Sequence, residues 1–171
     1  MARSSSPNRF FELLRVLVQH EVEFVLIGGF ALAFHGVPRA TKDIDIVPGP
    51  NRENLGRLWQ ALAVVNARPG ELADFRADEI PVPWTLDGLV DGAGNWILDT
   101  DLGRIDVMQW VSGVESYEQL HGRAERLDVP EVGGVVAVAG LRDLLAMKEA
   151  AGRDQDLIDI AALRMANGLE E

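Results

Sequence analysis

Residues 27–47 read Ile27-Gly28-Gly29-Phe30-Ala31-Leu32-Ala33-Phe34-His35-Gly36-Val37-Pro38-Arg39-Ala40-Thr41-Lys42-Asp43-Ile44-Asp45-Ile46-Val47. The run that leads in, Glu23-Phe24-Val25-Leu26-Ile27, is apolar, too short for a helix and stopped by two glycines, which predicts a buried strand. Residues 30–34 predict a short helix broken by Gly36 and Pro38, and residues 43–47 a second strand ended by Pro48-Gly49-Pro50. On a strand, Asp43 and Asp45 project to one face, about 7 Å apart. Two such carboxylates repel unless a cation lies between them or one takes up a proton. A hard divalent cation such as Mg²⁺ binds carboxylate oxygens and keeps room for phosphate ligands. Gly28-Gly29, closing a strand and opening a helix, lets backbone N–H groups approach a phosphate. Taken singly, these pieces also read as a solvated strand edge and a plain turn; together they predict a site for a metal–triphosphate.

Outward from this stretch, Ser6-Pro7 reads as a helix cap and first helical position behind a tail at residues 1–6. Phe10, Leu13, Leu14, Leu17 and Val18 then form one apolar stripe to about His20. Residues 51–66 carry a second stripe through Leu55, Leu58, Trp59, Leu62 and Val65. Residues 68–94, rich in Pro, Gly and Asp, give only a loose reading. Residues 96–100 and 104–110 predict a hairpin turning at Asp101-Leu102-Gly103. A short helix at 116–121 and strands at 126–129 and 135–139 follow. Residues 141–167 predict a helical pair divided at Gly152. No repeat or linker divides the chain, so one domain over 1–171 is expected.

The chain is 47% hydrophobic and 25% charged, which excludes disordered and collagen-like classes. It has no cysteine, which excludes thiolate catalysis and Cys-ligated metals, and its three histidines are too scattered for a metal cage. A net charge of -11 argues against non-specific nucleic-acid binding, which needs Lys and Arg against phosphates. No apolar run approaches the ~20 residues of a membrane span, and no secretory leader is evident behind Met1. No membrane association and a cytoplasmic location are the expectations.

Residues 27–47, with Arg39-x-Thr41-x-Asp43-x-Asp45 at their centre, resemble the signature of the DNA-polymerase-β-like nucleotidyltransferase superfamily, and in particular the small bacterial AbiEii-like toxin group. The resemblance implies an α+β fold, a mixed β-sheet flanked by helices. It implies Mg²⁺- or Mn²⁺-dependent transfer of a nucleoside monophosphate from a nucleoside triphosphate such as ATP, with release of pyrophosphate. The acceptor is a hydroxyl of RNA, protein or a small molecule, and the context a toxin–antitoxin or phage-defence system with a cognate toxin or antitoxin partner. It also implies a third carboxylate on a neighbouring strand. Asp106 is the preferred residue, because an acid among apolar strand residues needs a partner; Asp99 and Asp101, near the hairpin turn, are its rivals. Asp43, Asp45 and Asp106 are thus the expected catalytic and metal-binding residues. Gly28 and Gly29 are expected at the nucleotide, and Arg39 and Lys42 are candidates to neutralise phosphate charge or else solvated loop residues.

The C-terminal stretch resembles the same group through Lys148, Arg153 and Asp156, where the lysine would contact nucleotide phosphate. Ordinary salt bridges between two helices explain the same residues equally well. The chain departs from the superfamily pattern at Phe30, which follows Gly29 where a hydroxyl residue is common. A non-catalytic nucleotide- or partner-binding module that kept the fold is the alternative reading. His35 reads as structural, and no tryptophan is assigned a role.

Overall fold

The computed structural model describes residues 7–41, 43–70, 83–92 and 94–169. The expected tail over 1–6 with its Ser6 cap, the candidate Lys42, and residues 71–82 of the loosely read stretch lie outside the described residues. All four residues of strand β1 (Phe24–Ile27) are buried. Such a run suits a strand paired on both edges, and β1 lies between β2 (Asp43–Pro48), antiparallel to it, and β7 (Gly134–Val138), parallel to it. The remaining strands are β3 (Arg68–Pro69), β4 (Asn95–Thr100), β5 (Gly103–Met108) and β6 (Glu125–Val129). Together they form a seven-stranded mixed sheet in the order β3-β4-β5-β2-β1-β7-β6.

Helix α1 (Pro7–Gln19) buries Leu13, Leu14 and Leu17, and α3 (Arg52–Val64) buries Leu55, Leu58 and Leu62. These residues join the buried side chains of the sheet in one core cluster. Asn54, fully buried in α3, accepts from the Glu23 N–H at 2.7 Å and donates to the Glu23 and Gly49 carbonyls. It thereby fixes the start of β1 to the end of β2. The short helices are α2 (Gly28–Phe34), α4 (Leu86–Asp91) and α5 (Tyr117–Gly122), and the chain closes with α6 (Leu141–Ala151) and α7 (Asp154–Ala166). Gly152 separates the last two at φ +62°, donating its N–H to the Lys148 carbonyl.

The expected α+β architecture and mixed sheet are therefore the observed ones. β3 and α4 fall in the stretch that sequence patterning read only loosely. β3 is two residues long, and α4 is a six-residue helix held by a Thr85 cap and one buried residue, Leu89. Neither is long enough to show a period.

Candidate active site

The register of β2 on β5 builds the floor of a cleft. In this parallel pair Asp43 lies opposite Arg104, and Asp45 opposite Asp106. The intervening Ile44, Ile46, Ile105 and Val107 are all buried to 1% exposure or less. Two-residue alternation therefore sends the aliphatic side chains into the core and presents three carboxylates and a guanidinium together on the other face. The Asp106 carboxylate is in hydrogen-bonding reach of Asp45. Burial, then Asp106 and Asp43, push the Asp45 carboxyl up to about 7, with Arg104 opposing. Arg104 donates to Asp106 at 3.0 Å and comes within 3.9 Å of Asp43.

Gly28, at φ +67°, sits directly over Asp45; a Cβ there would overlap Asp45 Oδ2. A Cβ on Gly29 would come within 3.0 Å of Thr41 Oγ1. The two glycines are thus needed for close approach by side chains of the Arg39–Asp45 segment. Thr41 supplies a hydroxyl beside Gly29, which donates to the Asp43 carbonyl at 2.9 Å. Phe30 instead stacks on Phe10 with centroids 5.4 Å apart, as a packing residue.

The opposite wall comes from α6 and α7. Lys148 Nζ donates to Asp156 at 3.1 Å and to Asp159 at 2.8 Å. Arg153 donates to Asp156 at 2.7 Å, and Arg39, from the α2–β2 connection, donates to both Asp159 oxygens at 2.9 and 3.0 Å. Three cations thus share two buried carboxylates. Arg153, with burial opposing and Lys148 assisting, holds the Asp156 carboxyl down to about 2. Burial also opposes the charge on Asp159, but Lys148 and Gln155 outweigh it and lower that group as well.

Both walls open on one cleft of about 800 Å³, lined by Gly28, Gly29, Arg39, Asp43, Asp45, Asp106, Lys148, Arg153 and Asp156. The structure therefore brings together every sequence-predicted site residue among those described. Asp99 and Asp101, the rivals of Asp106, are exposed and do not line it. Lys148 spends its charge on Asp156 and Asp159, on its own helix pair, the ordinary salt bridges that the sequence also allowed. The sequence signature contained Thr41 without giving it a role, and Arg104 and Asp159 were missed. Asp159 was signalled only by its three-residue spacing from Asp156, which puts both on one face of α7. His35 Nε2 donates to the Ala139 carbonyl at 2.7 Å, as a structural residue would.

No curated protein sequence matches the chain. Residues 12–95 match the family described as "Nucleotidyl transferase AbiEii toxin, Type IV TA system". That segment includes Gly28, Gly29, Asp43 and Asp45 and ends before β5. Among solved structures, the lincosamide antibiotic adenylyltransferase LnuA, lincomycin-bound, is similar at TM-score 0.58 and 12% identity, over 94% of this chain and 98% of that one. The antibiotic-resistance factor ANT(2'')-Ia is similar at TM-score 0.54 and 13% identity, over 92% and 82% of the two chains. The chain has the fold of these two nucleotidyltransferases, and its residues 12–95 are similar to the AbiEii nucleotidyl transferase family.

Proposed function

We propose that the protein transfers a nucleoside monophosphate from a nucleoside triphosphate to a hydroxyl acceptor, with a divalent cation held at Asp43, Asp45 and Asp106. The observation that carries this is the facing of an acidic floor and a basic wall across one cleft at the Gly28-Gly29 turn. The donor set is all carboxylate oxygen, which fits Mg²⁺ or Mn²⁺, and the crowding that raises Asp45 is what a cation would relieve. Among the described residues no group of three donors closes tightly enough to hold an ion as it stands; Asp43 and Asp106 are both engaged by Arg104, which must yield. A bound cation would supply charge neutralisation at the triphosphate.

The chain's own residues do the rest. The Gly28-Gly29 backbone at the start of α2 lines the cleft on the side that would take the phosphates, and Arg39, Lys148 and Arg153 offset their charge, with Lys42 a further candidate. The acceptor oxygen bonds to the α-phosphorus as the bond to the pyrophosphate oxygen breaks. The hydroxyl proton passes to the Asp45–Asp106 pair, and pyrophosphate leaves. The match to a type IV toxin family supports a role paired with an antitoxin, with growth arrest on expression.

The test is incubation with α-labelled nucleoside triphosphates, Mg²⁺ or Mn²⁺, and cell RNA, protein and small-molecule fractions. Label should pass to one fraction, and Asp45→Asn with Asp106→Asn should lower the rate by at least about 100-fold, the scale of losing a stabiliser of transition-state charge. One observation favours a non-catalytic binding module instead: two of the three Lys148 N–H donors are already taken by Asp156 and Asp159. Tight Mn²⁺–ATP binding without transfer to any fraction would select that reading.

A further inference from the structure

Three of the four tryptophans serve the fold. Trp59, Trp84 and Trp96 pack in sequence, with ring centroids 4.7 and 5.0 Å apart. Trp110 takes no part in this and leaves 66% of its surface exposed. A lone exposed apolar residue is ordinary; the position and support of this one are not. Asp106, Met108 and Trp110 are alternate residues on β5 and its continuation, and all three line the cleft. Across the sheet, the Gly28 turn lies on the β1 side of the carboxylates, and Trp110, beside Asn95 of β4, on the other.

The backbone of Trp110 is held while its ring is left open. Asn95 accepts the Trp110 N–H at 3.1 Å and donates to its carbonyl at 3.0 Å. Three residues on, Gly113 sits at φ +83°, where a Cβ would overlap the Ala146 carbonyl of α6. The segment is therefore pinned to β4 at one end and pressed on α6 at the other. A backbone fixed in this way lowers the entropic cost of presenting the ring as contact area.

We propose that Trp110 is the acceptor-side platform of the cleft: an uncharged or cationic compound lays a flat ring face on the indole while its hydroxyl reaches Asp106. This rests on the nucleotidyltransferase reading. With phosphates drawn to the glycine turn and the Lys148–Arg153 wall, the β4–β5 side is left to the acceptor. An indole face attracts apolar ring faces and cations. A polyanion is disfavoured by three adjacent carboxylates and by the net charge of -11.

The indole N–H resonances of the ¹⁵N-labelled full chain test this, with Trp110→Phe marking the Trp110 signal by its loss. In the presence of Mg²⁺ and a non-hydrolysable ATP analogue, methyl glucoside or glucosamine should shift the Trp110 signal and leave the other indoles in place. Trp110→Ala should weaken that binding about tenfold, a usual loss for a removed stacking ring, with the melting temperature and the analogue's own Kd unchanged. Trp110→Phe should restore most of the affinity. A Trp110 signal moved by the ATP analogue alone would make the ring a nucleobase platform and overturn the proposal. So would a signal moved only by an RNA oligonucleotide, or by no acceptor at all. An analogue that leaves the Gly28 and Gly29 amides unperturbed would sink the nucleotidyltransferase reading as well, so the two failures are told apart at different residues.

Discussion

Gly28 couples backbone shape to charge at a single position. Its φ of +67° is one an alanine adopts only at a cost of about 1–2 kcal/mol, and the space its Cβ would fill is already held by the Asp45 carboxylate. Gly28→Ala should therefore lose stability through both terms. Pairing it with Asp45→Ala removes the overlap with the carboxylate and leaves the backbone cost and one tight contact with the residue 45 Cβ. Urea denaturation of the two single variants and the double should show a double variant more stable than the sum of the singles predicts, by roughly 1 kcal/mol or more. Strict additivity would mean that Asp45 moves aside freely, and that the glycine serves the turn alone.

Among elements, α7 carries more of the site than its sequence advertises. Asp156 and Asp159 are almost wholly buried, at 1% and 4% exposure, and each depends on cations from elsewhere in the chain. If Lys148 served only nucleotide phosphate, as the resemblance implies, Lys148→Ala would lower nucleotide affinity far more than stability. The structure changes that expectation: the substitution strips a shared cation from two buried carboxylates, a change that costs about 3 kcal/mol when a buried pair is broken. Thermal melting should fall together with nucleotide affinity, and a Lys148→Ala protein with unchanged melting would contradict this. The site was legible in the sequence where its residues are local. Gly28-Gly29 and the Asp43/Asp45 alternation needed only strand periodicity. Asp106 stood out as an acid between Ile105 and Val107. The approach of Arg104 to Asp43 and the tie of Asp159 to Arg39 were not legible, because the first comes from parallel-strand register and the second spans 120 residues, neither of which leaves a periodic trace.

At the scale of the whole molecule, two carboxylates with opposite shifts shape stability against pH. Asp156 is held down to about 2 from an ordinary 3.8, so the stability it adds is present above about pH 4 and is lost as pH falls toward 2. Asp45 is pushed up to about 7, so the folded state binds an extra proton between about pH 4 and 7, and stability declines as pH rises through that window. Melting temperature measured with a chelator present should peak in mildly acid solution. Asp45→Asn should flatten the decline toward pH 8 and leave the acid limb in place. An alkaline decline that persists in Asp45→Asn would assign it to another group. The tie between Arg39 and Asp159 bears also on when the protein can act during its own manufacture. The loop that leads into the acidic strand leaves the ribosome early, yet its anchor is 120 residues behind, and Asn167 closes on the His35 carbonyl later still. At ordinary elongation rates that interval is roughly 6–24 s, during which the nascent chain displays its acidic strand without the basic wall. This order of emergence delays the finished cleft until translation has passed residue 167.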